Sequence, residues 1–232
     1  MKSTALLLLS LVGLATASQH HHAHHFLVNN VGSSPTDGFS RVSFDAQKDG
    51  HVQVPCNADP ATHYHFDGKY HSFTVHDDEL GWNCKDPHGT HPRSEMSLLS
   101  KKFMGGKNQF QAWLTVPQGT YGVNLMQVFG GDQHNTAFML HIYKEDGGSL
   151  WRYHHDKIKG GMWDKEFKLN VIHDSESEKV SVYIDDEYHG TYDTNGRSKL
   201  GYYYFKTGVY MQTEQSHTMK VKVRDITLWK KQ

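Results

Sequence analysis

From Phe26 to the C-terminus, apolar and polar residues alternate in short runs rather than recurring every third or fourth position. In Asn108–Val116, Phe110, Ala112, Leu114 and Val116 share one face, while Gln109, Gln111, Trp113 and Thr115 share the other. A period of two is that of a half-buried strand. Runs of this kind, bounded by Gly, Asn, Asp and Pro, predict strands over Phe26–Val31, Arg41–Ala46, His51–Val54, Ser72–His76, Arg93–Leu99 and Gln109–Val116. They continue over Asn124–Phe129, Ala137–Tyr143, Lys165–His173, Lys179–Ile184, Leu200–Lys206, Val209–Gln212 and Thr218–Trp229. No stretch keeps a 3.6-residue period for three turns, and no repeat or linker interrupts the chain after residue 26. So many short strands in one continuous run predict a single all-β domain over 26–232, built as two packed sheets in a sandwich or jelly roll.

The N-terminus reads differently. Met1-Lys2 is a short basic start, Ala5–Leu14 is almost unbroken apolar sequence, and Ala15-Thr16-Ala17 supplies the small residues of a cleavage site. This pattern predicts a signal peptide over 1–17 and a secreted, extracellular protein; the apolar run is too short to span a membrane. Residues 18–25, five of them histidine, read as a flexible His-rich tail, with loose metal capture as the sharper alternative. In an oxidising compartment the chain's two cysteines, Cys56 and Cys84, are expected to form a disulfide. Closing that loop contributes roughly 3 kcal/mol.

Composition narrows the function only a little. The formal charge is −1 with 19 histidines neutral, so mild acid is expected to turn the chain cationic and favour polyanionic partners. More informative is Tyr202–Gln212, where Tyr203, Phe205, Val209 and Met211 make an apolar face. The opposite face carries Tyr202, Tyr204, Lys206, Tyr210 and Gln212. Rings that stack on pyranose faces and amides that bond hydroxyls suit a sugar-binding surface.

Three segments carry a resemblance. They are Arg93-Ser94-Glu95-Met96-Ser97, Gln127-Val128-Phe129, and Tyr204-Phe205-Lys206-Thr207-Gly208-Val209-Tyr210-Met211-Gln212. In order and spacing this set resembles the alginate lyases of polysaccharide lyase family seven and the related glucuronan lyases of family twenty. The third segment is the specific one. The resemblance implies a β-jelly roll whose concave sheet binds a polyuronate, and β-elimination without a metal or other cofactor. The expected partner is an acidic polysaccharide, glucuronan or alginate, acted on by a monomer with no role for nucleic acid or membrane.

The chemistry explains the residue types. A uronate C5 proton is very weakly acidic beside a charged carboxylate, so cationic and amide donors must let that carboxylate accept charge. A base then takes the C5 proton and an acid protonates the leaving O4. Carried over by position, Arg93 and Gln127 neutralise the carboxylate and Tyr210 transfers the proton. Lys206 binds substrate and lowers the Tyr210 pKa, while Gln212 and Tyr204 line the cleft. Gln111, Trp113 and His141 are added as substrate-binding candidates from polar strand faces. The family pattern has histidine where this chain has Phe129 and a second arginine where it has Ser97. His91, two residues before Arg93, is the expected replacement for that histidine, neutralising the carboxylate or acting as base, with His141 behind it, and Glu95 is expected to orient Arg93. Alternation gives Gln127 the parity of Val123, Leu125 and Phe129, the more apolar face; a bulge would reconcile that parity with a role at the site.

Two other functions compete. A non-catalytic carbohydrate-binding protein on the same scaffold fits the changes at Phe129 and Ser97. A glycoside hydrolase needs two carboxylates about the scissile bond, and only Glu95 is placed on a cleft face.

Overall fold

The computed structural model describes residues 34–131, 135–194, 196 and 201–231. The expected signal peptide, the His-rich tail and the strand expected at Phe26–Val31 lie outside the described residues. The strands, in chain order, are β1 (Ser40–Val42), β2 (His51–Gln53), β3 (Tyr64–Phe66), β4 (His71–His76), β5 (Arg93–Ser97), β6 (Lys107–Thr115), β7 (Val123–Gly130) and β8 (Asn135–Tyr143). They continue as β9 (Ser149–Arg152), β10 (Asp156–Lys159), β11 (Glu166–Asp174), β12 (Lys179–Ile184), β13 (Glu187–Asp193), β14 (Tyr203–Met211) and β15 (Thr218–Lys231). Two helical turns, α1 (Ala46–Asp49) and α2 (Pro60–His63), precede β2 and β3.

The strands form two antiparallel sheets. The back sheet runs β13-β12-β11-β6-β15-β4-β3, with β1 also on β15. The front sheet runs β10-β9-β8-β7-β14-β5-β2. Alternating apolar residues from each close the core: Phe110, Ala112 and Leu114 of β6 and Val221 and Val223 of β15 meet Val128, Phe205 and Val209 from the front sheet. The Phe110 and Phe205 rings lie 5.9 Å apart across this seam. Each such ring removed from water contributes about 1.5–3 kcal/mol.

Several predicted boundaries change. Arg41–Ala46 is not one strand; Asp45 accepts hydrogen bonds from the amides of Gln47 and Lys48 and starts α1 instead. Leu200–Lys206 and Val209–Gln212 are parts of a single strand, β14. The short strands β3, β9, β10 and β13 were not anticipated. Cys56 and Cys84 are bonded, with Cα atoms 5.1 Å apart.

One irregularity positions the site. Asn124 pairs with Tyr210 on β14 and His141 on β8, whereas Met126 pairs with Thr207 and Leu140, so both ladders of β7 slip by a residue around Leu125. Leu125 and Met126 consequently both enter the core, and the next residue, Gln127, turns to the opposite face. This is the bulge that the parity of Gln127 required.

Candidate active site

Four neighbouring strands of the front sheet bring the motif residues together. Arg93 of β5, Tyr210 of β14, Asn124 of β7 and His141 of β8 stand side by side in register. Ser97, Lys206 and Gln127 form a second row. Between the rows, Glu95 pairs with Gly208, which leaves the floor there without a side chain. Glu95 spans that gap from β5 to β7.

Glu95 is fully buried and collects four donors. Lys206 Nζ lies 2.6 Å from it, Gln127 Nε2 2.5 Å, Arg93 Nη1 3.4 Å and Asn124 Nδ2 3.5 Å. Burial alone would raise its pKa; the Lys206 ammonium and the Arg93 guanidinium outweigh that and hold the carboxyl below its usual range. Burial draws the Lys206 ammonium below the usual lysine range, against the pull of Glu95. The floor therefore holds one carboxylate against two cations, an excess of positive charge removed from water. Arg93 also covers the Tyr210 ring, its Cζ 3.7 Å from the centroid. Arg93 Nε and Asn124 Oδ1 are buried with no hydrogen-bond partner among the described residues.

This geometry revises several expected roles. Lys206 is 3% exposed and committed to Glu95, with its Nζ 5.3 Å from the Phe129 ring centroid, so it belongs to the floor rather than to the substrate-contacting surface. The Tyr210 pKa is raised, not lowered: burial is the largest cause and Glu95 adds to it, while Arg93 opposes both. The Gln212 amide folds back onto the carbonyls of Tyr210 and Met211, at 3.2 and 2.7 Å. Tyr204 stays on the site face, edge-on to Phe129 at 5.5 Å between centroids.

Gln111 and Trp113 do not belong to this site. They lie on β6 of the back sheet, whose alternate residues Phe110, Ala112 and Leu114 fill the core. Their side chains consequently face away from the front sheet, and Trp113 is covered by Arg224 at 4.7 Å and Lys168 at 5.8 Å. His91 is exposed, precedes β5, and makes no side-chain hydrogen bond, ion pair or ring contact among the described residues. The histidine in the row is His141, buried, with Nδ1 2.9 Å from the Tyr143 hydroxyl. That hydroxyl also meets Nδ1 of His154. Burial, with His154 beside it, pushes the His141 pKa down to about 3, so its imidazole is neutral at ordinary pH.

Asn124 was not singled out in the sequence because Met126 and Val128 share its parity; only the slip at Leu125 separates them. A group of metal-ligand type, Asp77, Asp78 and His217, lies at the junction of β4 and β15 in the back sheet, not in this row.

The alginate lyase family model matches residues 45–230. The chain belongs to the alginate lyase family. By family it is a polysaccharide lyase, and the matched span includes all three motifs. A citrate-binding protein of Hevea brasiliensis is 28% identical over 199 residues, 85% of this chain and 80% of that protein. The alginate lyase from Corynebacterium sp. superposes with a TM-score of 0.59 at 14% identity, covering 80% of this chain and 97% of that one. A family 7 alginate lyase in complex with its substrate GGMG gives 0.59 at 14% identity, covering 79% and 94%. At that identity the two structures establish the jelly-roll fold and nothing finer.

Proposed function

We propose that this protein is a secreted lyase that cleaves a uronate-containing polysaccharide, alginate or glucuronan, by β-elimination without a metal. The observation that carries this is the excess positive charge under Tyr210: one buried carboxylate, Glu95, against two cations, Lys206 and Arg93, the second of which lies against the Tyr210 ring. A uronate carboxylate seated on Arg93, with amide hydrogens of Asn124 and Gln127 beside it, balances that charge. It also lets the carboxylate accept electron density as C5 loses its proton. Tyr210 as phenolate takes that proton, the C5–H electron pair becomes the C4–C5 double bond, and the C4–O4 bond breaks. The phenol then returns the proton to O4, which regenerates the phenolate. The apolar run at Ala5–Leu14 and the disulfide support secretion.

The test mixes purified protein separately with alginate, glucuronan and homogalacturonan and follows the ultraviolet absorbance of the unsaturated uronate end. At least one substrate should give a signal. Tyr210→Phe should cut it by at least about 10²-fold while binding and fold persist. Wild-type turnover in that variant would remove Tyr210 from the mechanism.

A second reading, carboxylate or glycan binding without turnover, is favoured by Phe129 at the family's histidine position and by the Hevea brasiliensis relative named for citrate. It expects heat of binding for uronate oligomers or citrate and no unsaturated ends from any of the three polymers.

A further inference from the structure

The site face does not end at the first residue of β14. Phe103 exchanges both backbone hydrogen bonds with Tyr203, each 2.8 Å, so residues 102–104 continue the sheet where β5 leaves off. Phe103 packs inward, its ring 5.1 Å from Phe205. Alternation therefore turns Lys102 and Met104 to the face that carries Tyr204. Lys102 Nζ stands 4.4 Å from the Tyr202 ring centroid, and the Tyr202 and Tyr204 rings stack at 6.5 Å. Phe129, Tyr204, Tyr202 and Lys102 thus form a continuous path leading away from the Glu95 floor.

That path opens into a groove of about 640 Å³, whose lining includes Lys101, Lys102, Met104, Lys230, Lys231 and Glu176. Of the four lysines, Lys101 is paired with Asp49 at 3.2 Å. Lys102, Lys230 and Lys231 are exposed and have no carboxylate within salt-bridge distance among the described residues. Met104 is 74% exposed, an apolar surface among cations. Lys102 and Lys231 lie against the Tyr202 and Phe39 rings, at 4.4 and 5.9 Å, but none of the three lysines neutralises a carboxylate among the described residues, and the methionine is too exposed to fill a core.

We propose that this groove is an accessory binding site for the acidic glycan itself, holding uronates several sugars away from the bond being cleaved. The proposal rests on the acidic-polysaccharide reading above and extends it. Carboxylates of a chain leaving over Tyr204 and Tyr202 meet Lys102 first, then Lys230 and Lys231. Met104 offers a surface for a sugar face. The groove therefore acts on long chains and not on oligomers that fill only the row around Tyr210.

The triple variant Lys102→Gln/Lys230→Gln/Lys231→Gln tests this while leaving the Lys101–Asp49 pair intact. Dissociation constants for a long polyuronate, a short oligouronate and a neutral glucan are measured by calorimetry at low and high salt, beside turnover on the long polymer. The expected result is polymer binding weakened by about tenfold or more, because three exposed charge contacts are lost. Its salt dependence should flatten, with oligomer affinity, neutral-glucan binding and melting temperature unchanged. Equal affinity for the polymer in variant and wild type overturns the proposal, and so does an equal loss for polymer and oligomer. If wild type cleaves the polymer and the variant matches it throughout, only the groove proposal falls. If wild type neither binds nor cleaves any acidic polymer, the lyase reading falls with it.

Discussion

The chemistry of this site turns on a buried carboxylate that does not itself react. Glu95 ties Arg93, Gln127, Asn124 and Lys206 to one buried carboxylate, and a pair inside such a network cannot lose one member cheaply. Lys206→Met should destabilise the protein by about 3–5 kcal/mol, because Glu95 is left as a buried charge with too little compensation. Adding Glu95→Gln to that variant should recover part of the loss, which urea denaturation of the single and double variants measures. Recovery of nothing would mean that Lys206 acts through packing alone. Tyr210 yields a second expectation. Its pKa is raised above the usual tyrosine range by burial, so at neutral pH the phenolate is a minor species. If the phenolate is the base, kcat/KM should climb about tenfold per pH unit through the alkaline range, below that pKa. A flat profile from neutral to alkaline pH would remove the phenolate from the rate-limiting step. Among the motif residues, Arg93 and Tyr210 were legible from the sequence as members of one site through the family resemblance, while their pairing across β5 and β14 comes from the fold. The raised pKa was not, since it depends on how deeply the Tyr210 ring sinks beside Arg93, which no linear pattern records.

At the level of strands, alternation located the long inner ones because each has one face in the core. It missed β3, β10 and β13, which are edge strands, and β9, which lies next to an edge. Glu187–Asp193, with Tyr188, His189 and Tyr192 among polar residues, shows no apolar face to read. Alternation also divided β14 at Thr207-Gly208, where the strand in fact continues through a bulge. Gly208 has φ +142°, and a Cβ there would come 2.4 Å from the Ser94 carbonyl oxygen and 2.8 Å from Glu95 Cα. Gly208→Ala must therefore push β5 away from β14 at the point where Glu95 reaches towards β7. The expected cost is about 1–3 kcal/mol of stability from strain, with a fall in turnover larger than that loss of folded protein explains. Parallel urea melts and initial rates on the polymer separate the two effects. Full activity in a folded variant would show that the floor tolerates the shift.

Over the whole molecule, the abundance of histidine has a consequence that composition alone misjudges. Composition predicts a chain that becomes broadly cationic in mild acid, but His141 and His173 are buried in the two sheets and resist protonation. Burial pushes His141 down to about 3 and His173 to about 4, and it lowers His71 as well. In the unfolded chain each returns to about 6.5, so between these values the unfolded state binds more protons than the folded one. The stability these neutral imidazoles contribute is therefore whole above about pH 6.5 and is lost progressively as pH falls, the His173 share ending near its folded value of about 4. His217, raised by its hydrogen bond to Asp77, works in the opposite sense, but it is exposed and screened by solvent. Near pH 5 the two deeply buried histidines together give a slope of about 2.7 kcal/mol per pH unit. Urea unfolding at a series of pH values should show that decline, and His173→Gln should remove about half of the slope in the window where only the unfolded histidine protonates. The slope is the readout because it survives any general destabilisation the substitution brings. A variant whose slope equals that of wild type would mean that His173 is as easily protonated folded as unfolded.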